Sequence, residues 1–294
     1  MVAKPFVKWA GGKTQLLDAI TASFPADLMQ RAGVTYVEPF VGGGAVLFHM
    51  LQKFPNIERA IINDINPQLI CTYRMIKEDV EPLLMELDVM QSEYISRGPE
   101  ERIEYFLAKR DQYNSRPITD LQIASLFIFL NRTCFNGLYR VNSKGYFNVP
   151  HGKYANPKIC DLETLLADSK LLQNVEILCG DFSLTRQYAG FNTIYYFDPP
   201  YRPLTQTAAF TSYTKGGFDD NEQRRLGRFI QEIAEAGSFF VASNSDPKNV
   251  NPEDAFFDDL YTMFQVKRVS AARMINSDAS GRGAVSEIMV TNAL

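Results

Sequence analysis

A carboxylate, a rigid turn and an aromatic ring follow one another at Asp198-Pro199-Pro200-Tyr201, and that combination can do chemistry. The preceding run, Thr193-Ile194-Tyr195-Tyr196-Phe197, is β-branched and aromatic, which predicts a buried strand. The two prolines forbid its continuation, because they lack a ladder donor and fix φ. Asp198 is therefore predicted at the carboxyl end of a strand, the edge at which open α/β sheets bind ligands. A carboxylate and turn carbonyls that accept hydrogen bonds, beside a ring that can stack, suit a planar ring bearing an amino group. Asp-Pro and Pro-Pro also punctuate ordinary loops, so the tetrapeptide by itself leaves a plain turn open.

Three further segments carry ligand-binding chemistry. Phe40-Val41-Gly42-Gly43-Gly44 lies between a predicted strand, Thr35 to Glu38, and a predicted helix, Ala45 to about Lys53. Glycines there bring backbone N–H groups close to a ligand without side-chain obstruction. Asp64 ends a second predicted strand, Ala60 to Asn63, about 20 residues beyond the loop, the spacing of a carboxylate that accepts ribose hydroxyls. The glycines lack the G-x-G-x-x-G spacing that wraps a pyrophosphate, so a ligand with ribose and no phosphates fits better than a dinucleotide. Lys8-Trp9-Ala10-Gly11-Gly12-Lys13-Thr14 ends like a P-loop, yet Val7 stands where that pattern needs its first glycine. Trp9 offers a stacking surface instead, and Lys13 a cation for a carboxylate.

The elements that must position these residues follow an α/β plan. A chain of 294 residues with 46% hydrophobic content has material for a real core. Strand, glycine turn, helix and strand occupy the opening sixty-odd residues. Alternation then halts, and roughly Gln68 to Leu130 reads as successive helices. Phe135 to Pro150 reads as a hairpin with turns at Asn136-Gly137 and Lys144-Gly145. Strands resume at Val175–Cys179, Thr193–Phe197 and Ser238–Ser243, the last after a helix over Asp219–Ala236. Phe264–Val269 and Val285–Thr291 are predicted to pair across Gly281-Arg282-Gly283. Cys71, Cys134, Cys160 and Cys179 lack paired spacing, which argues against a disulfide framework or a zinc site. Neither a signal peptide nor a membrane span is apparent, so a cytoplasmic protein is expected. The net charge of -4 is unlike that of an overall basic nucleic-acid binder. From Asn131 to Ile159, however, Arg132, Arg140, Lys144, Lys153 and Lys158 stand with no Asp or Glu among them, a local excess that fits phosphate contact or a solvated basic loop.

Taken together, Lys8 to Lys13, Pro39 to Gly44, Asn63-Asp64-Ile65-Asn66 and Asp198 to Tyr201 resemble, in identity and order, the Dam-like DNA adenine-N6 methyltransferases. Phe135 to Arg140, Phe147-Asn148-Val149-Pro150 and Ala209-Phe210-Thr211-Ser212-Tyr213 are similar to the GATC-methylating members, and the resemblance runs nearly end to end. It implies a Rossmann-like S-adenosylmethionine-dependent methyltransferase sheet with an inserted, mainly helical DNA-recognition domain carrying a β-hairpin. The catalytic domain would comprise 1–67 and 159–294, the recognition domain 68–158, with its hairpin at 135–150. S-adenosylmethionine is the implied cofactor and S-adenosylhomocysteine its product. Trp9, Lys13, Asp64 and Asp198 match the family's cofactor-binding positions; Phe40, Gly42 and Gly44 would line the same pocket, and Asp181 and Phe182 match its contact to the cofactor's adenine ring.

The implied reaction transfers a methyl group to N6 of a flipped adenine in duplex DNA, with Asp198, Pro199 and Tyr201 as the catalytic set. By the same resemblance Arg140 contacts a guanine of GATC, Lys8 the outer guanine, Leu138 and Pro150 pack on bases, Asn136 makes a polar contact and Phe135 wedges where DNA opens. For Phe135, Leu138 and Pro150 plain hairpin packing is the competing reading. Neither metal nor membrane is implied, and a partner restriction nuclease acting on the same site is one setting. Cytosine-N4 methylation, RNA adenine methylation and a catalytically silent DNA-binding module are the alternatives, the last opposed by intact Trp9, Lys13, Asp64 and Asp198.

Overall fold

A computed structural model describes residues 2–203, 218–272 and 284–293; Ala209 to Tyr213 and the Gly281–Gly283 turn lie outside them. In chain order the helices among these residues are α1 (Leu17–Thr21), α2 (Ala45–Lys53), α3 (Pro67–Glu78), α4 (Val80–Ile95), α5 (Pro99–Asn114), α6 (Asp120–Thr133), α7 (Leu162–Leu172), α8 (Asp220–Glu235) and α9 (Phe256–Leu260). The strands are β1 (Val34–Glu38), β2 (Ile57–Asp64), β3 (Val175–Cys179), β4 (Thr193–Phe197), β5 (Phe239–Ser245), β6 (Gln265–Ala272) and β7 (Ala284–Thr291). The chain divides into two units. One comprises the residues up to Gly12, Val41–Lys53 and Asn63–Asp181; the other comprises Lys13–Phe40, Phe54–Ile62 and everything from Phe182.

Six strands of the second unit form a sheet in the order β2-β1-β4-β5-β7-β6, and β3 belongs to the first unit. β2, β1, β4 and β5 are parallel, whereas β7 runs antiparallel to both β5 and β6. Val37 of β1 stands opposite Ile61 on one side and Tyr195 on the other, so the strand order reverses direction at the β1/β4 boundary. Such a reversal opens a crevice beyond the carboxyl ends of the two strands. All five residues of β4 are buried, as its unbroken apolar run requires of a parallel strand covered on both faces. α8 supplies part of that cover through Leu226, Phe229, Ile230 and Ile233, the spacing of one helical face. Phe229 meets Phe197 edge-on at 6.1 Å between ring centroids. Asp219 caps α8 by accepting the Asn221 and Glu222 N–H groups, and Gly237, at φ +94°, follows its end.

The first unit is mainly helical. The interval from 68 to 130 resolves into α3 to α6, each start fixed by local chemistry. Asn66 accepts the Gln68 and Leu69 N–H groups ahead of Pro67 at the first turn of α3; Glu101 accepts the Gly98 N–H before α5; Thr119 and Gln122 exchange hydrogen bonds at the start of α6. Residues 124–131 of α6 are buried without interruption, which makes it the helix that others wrap. Segment 135–150 departs from the predicted hairpin. Phe135–Gly137 is a tight turn with Asn136 and Gly137 at positive φ, and pairing is reduced to single bridges at Cys134–His151 and Val141–Phe147, with hydrogen bonds joining Arg140 to Asn148 and Asn142 to Tyr146. Side chains capture groups that a longer ladder would use: the Asn114 amide takes both the N–H and the carbonyl of Phe147, and Asn142 Oδ1 accepts the Lys144 and Tyr146 N–H groups.

α7 escaped the sequence reading, and its buried face explains why, since Asp168 lies on it. Asp168 is completely buried; one oxygen accepts the Lys4 N–H at 3.1 Å, the other has no hydrogen-bond partner. Burial is the largest influence and lifts its pKa from 3.8 to about 8. The folded state therefore keeps a proton that the unfolded chain releases, and this group's contribution to stability falls as pH rises from about 4 to 8. Asp168→Asn is expected to flatten that decline and to gain about 1–3 kcal/mol at pH 8. Urea unfolding at pH 5 and pH 8 measures it, and parallel pH profiles for the two proteins would contradict it.

Candidate active site and nucleic-acid interface

In the second unit β4 ends at Phe197 and the chain turns at Pro199-Pro200, leaving Asp198 at the rim of the β1/β4 crevice. Its Oδ1 lies 2.9 Å from the Lys13 ammonium; Lys13 is 4% exposed and Asp198 21%. Ser243 on β5 donates to the same oxygen at 3.2 Å. Burial raises the Asp198 pKa most, Lys13 opposes it, and nearby Glu287 adds to it. Tyr201 stands over Lys13, with the ammonium 4.5 Å from its ring centroid, and its hydroxyl donates to Glu287 Oε2 at 2.6 Å.

The turn itself is clamped from below. Gln223 Nε2 donates to the Pro200 carbonyl at 2.9 Å, and Gln223 Oε1 accepts from Asn244 Nδ2 at 3.1 Å. Asn244 Oδ1 in turn accepts the Arg202 N–H, while Ser245 Oγ donates to the Arg202 carbonyl. The Arg202 guanidinium pairs with both Asp220 oxygens and with Asp254. Phe40, just past β1, packs against Phe182 with centroids 5.5 Å apart, so two residues predicted to line one pocket meet here.

In the first unit the glycine loop lies against Trp9. A Cβ on Gly42 would come within 2.8 Å of Trp9 Cδ1, one on Gly43 within 3.0 Å of Trp9 Cβ, and one on Gly44 within 2.5 Å of the Tyr73 hydroxyl. Gly42 and Gly44 also hold φ of +48° and +78°, which side-chain-bearing residues rarely adopt. Asp64 Oδ2 accepts the Gly42 N–H at 3.1 Å and Oδ1 the Asn66 N–H at 2.9 Å. Burial nonetheless raises its pKa, these hydrogen bonds opposing. The Trp9 ring stacks on Tyr139 at 5.8 Å and on Phe127 at 6.2 Å. Asp181 follows Gly180, whose backbone is bound by Asn63 and Asp64, so the ends of β2 and β3 bring the two acidic residues to one edge. Within the first unit, the glycine loop, the Trp9 indole and the half-buried Asp64 carboxylate could hold the ribose of a nucleoside without phosphates.

The same unit carries the residues proposed to face DNA. Phe135 and Leu138 are 50% and 38% exposed, and Asn136, Arg140, Pro150 and Lys8 are exposed as well. Asn136 sits at φ +55° and donates its N–H to the Tyr154 hydroxyl. Arg140 is held on its side by Asn148, with Nε 2.8 Å from Oδ1 and Nη2 3.3 Å from the carbonyl oxygen. Arg132 differs from expectation: it is half-buried, donates to the Phe6 carbonyl at 2.7 Å, and burial lowers its pKa, so it braces the chain inside the unit. Lys144 and Lys153 are exposed.

Sequence reasoning missed Gln223, Ser243, Asn244, Ser245, Glu287 and Tyr154. A signal existed for three of them, since Ser243-Asn244-Ser245 are polar residues buried at the end of an otherwise apolar central strand.

A parallel sheet reversing at β1/β4, with a glycine turn after β1 and acidic residues at the ends of β2 and β4, is the Rossmann-like fold of S-adenosylmethionine-dependent methyltransferases. The chain belongs to the D12 class of N6 adenine-specific DNA methyltransferases, a family that matches residues 9–275. It is 46% identical to the type II methyltransferase M.MjaIII of Methanocaldococcus jannaschii, over 99% of this chain and all of that one. It is 37% identical to the type II methyltransferase M1.LlaDCHI of Lactococcus lactis subsp. cremoris, over 98% and 95%, and 34% identical to a DNA adenine methylase of Haemophilus influenzae, over 97% and 92%. It is thus an adenine-specific DNA methyltransferase that takes its methyl group from S-adenosylmethionine. Among the described residues no helix is long and apolar enough to cross a membrane, and no cluster of three potential metal ligands occurs.

Because Trp9 is the sole tryptophan, its fluorescence reports on the glycine loop. Gly42→Ala is expected to shift that emission and to weaken S-adenosylmethionine binding at least about tenfold through the displaced indole. Fluorescence and calorimetric titration check this; unchanged emission with unchanged affinity would refute it.

Proposed function

We propose that the enzyme methylates the adenine of GATC in duplex DNA, and that the adenine leaves the base stack to be methylated. The observation that carries the reading is Asp198 at the crevice rim with its Pro-Pro turn clamped by Gln223, Asn244 and Ser245. An adenine amino group is a poor nucleophile because its lone pair is delocalised into the ring. Asp198 and the Pro199 carbonyl would accept its two hydrogens and localise that pair on nitrogen, while Tyr201 stacks on the ring. The bound sulfonium supplies an already electrophilic methyl group, so alignment is the remaining task. A pocket of this kind reaches N6 only after the base is flipped, at a few kcal/mol of lost stacking.

Trp9, Lys13, Phe40, Gly42, Gly44, Asp64, Asp181, Phe182 and Asp198 would hold the cofactor. Region 68–158 together with Lys8 would read DNA. Arg140 offers a planar fork for guanine O6 and N7, Lys8 would contact the outer guanine, Asn136 would make a polar contact, Leu138 and Pro150 would pack on bases, and Phe135 would wedge into the opened duplex. The exposure of Phe135 and Leu138 favours base contact over hairpin packing. Two relatives named type II methyltransferases favour a setting in the cytoplasm alongside a restriction nuclease of the same site.

Asp198→Ala is expected to lower transfer more than about a thousandfold while duplex binding stays within about twofold; tritium transfer and anisotropy measure the two, and retained turnover would remove Asp198 from its role. Arg140→Ala should cost about 1–3 kcal/mol of discrimination at one base pair, read from rates on singly substituted GATC duplexes; an unchanged profile would count against it. DNA from cells expressing the enzyme should resist nucleases blocked by methylated GATC, and sensitivity to them would exclude that site.

A further inference from the structure

Lys8 is held by a buried side chain of α6. Asn131, on α6 and only 2% exposed, accepts the Lys8 N–H at 2.8 Å through Oδ1 and donates through Nδ2 to the Lys8 carbonyl at 2.8 Å. The same nitrogen donates to the Gly137 carbonyl at 2.8 Å. Both amide hydrogens and the amide oxygen are thus spent on two backbone segments far apart in sequence. Gly137, at φ +64°, completes the fixture, since a Cβ there would fall 2.6 Å from Lys8 Cδ and 2.7 Å from its Cβ. The stem of Lys8 therefore lies directly on the turn that carries Phe135, Asn136 and Leu138.

We propose that Asn131 is a specificity-positioning residue: it fixes the register of Lys8 against the Phe135–Gly137 turn and so sets discrimination at the base pair that Lys8 reads. The inference rests on the assignment of Lys8 to the outer guanine. A buried amide that is fully satisfied admits one arrangement of its partners. A loss of about 1 Å in that arrangement disperses a flexible four-carbon side chain over several bases. Arg140 is held independently by Asn148, so its discrimination should not follow that of Lys8.

Asn131→Asp keeps the acceptor for the Lys8 N–H and removes both donors. With full-length enzyme and duplexes carrying one substituted pair, the ratio of kcat/KM for GATC over the outer-pair variant should fall about tenfold, while the ratio at the pair read by Arg140 stays within about twofold. Lys8→Ala should lower the outer-pair ratio similarly, and the double variant no further. Equal loss on every duplex, or an intact outer-pair ratio in Asn131→Asp when Lys8→Ala loses it, overturns the inference. An intact ratio in Lys8→Ala overturns the assignment of Lys8 and the inference with it. If Asn131→Asp does not fold, Gly137→Ala carries the same test by pushing the Lys8 stem aside, with the same outcomes deciding.

Discussion

A carboxylate desolvated at the end of a central strand is tolerable only with a cation against it, and in this enzyme the cation is Lys13. The pair is close at 2.9 Å, and the ammonium is the more deeply buried partner. Glu287 adds a second negative charge nearby and pushes the Asp198 pKa further up. Removing one member of such a buried pair leaves the other uncompensated, at about 3–5 kcal/mol. Lys13 also lies over the Tyr201 ring, so one ammonium contacts two of the three groups proposed to meet adenine. The turn that delivers it, closed by hydrogen bonds from Gly12 N–H to the Trp9 carbonyl and from Leu16 N–H to the Lys13 carbonyl, is accordingly as much a part of the site as the strand end.

What the sequence made legible was whatever local covalent chemistry decides. Pro199 and Pro200 end β4 where they must, and β4 occupies the predicted residues. α2 spans the predicted Ala45–Lys53, and α8 lies within one residue of prediction at each end because Asp219 and Gly237 bracket it. The glycine loop was legible for the same reason, although its partner was not: nothing in Gly42-Gly43-Gly44 indicates that Trp9, over thirty residues away, is the surface that excludes side chains there.

What failed was long-range. The hairpin at 135–150 had suitable residues for two strands, but the Asn114 side chain, 33 positions from Phe147, takes that residue's backbone donor and acceptor. Arg132 reads as a phosphate partner or a solvated charge because the segment from Asn131 to Ile159 is basic without an Asp or Glu, whereas in space it meets the Phe6 carbonyl. α7 went unread because a buried Asp168 on its inner face breaks the apolar pattern. Each case turns on a polar contact with a residue distant in sequence, which periodicity cannot register.

The same kind of contact bears on the proposed chemistry. Methyl transfer to an amino nitrogen asks little of acid strength, because the donor carbon is electrophilic before it meets the enzyme, and much of direction, where about 1 Å of misplacement costs about a hundredfold. In the proposed reaction, rigidity at Asp198-Pro199-Pro200-Tyr201 would therefore matter more than its charge. Prolines restrict the turn's own torsions, yet they do not fix where the turn points. That is fixed by Gln223, Asn244 and Ser245, whose buried amides and hydroxyl leave the backbone from Pro200 to Arg202 a single satisfied arrangement. A chain with this tetrapeptide intact but with β5 ending in apolar residues would keep every group proposed for the reaction and lose the hydrogen bonds that orient them.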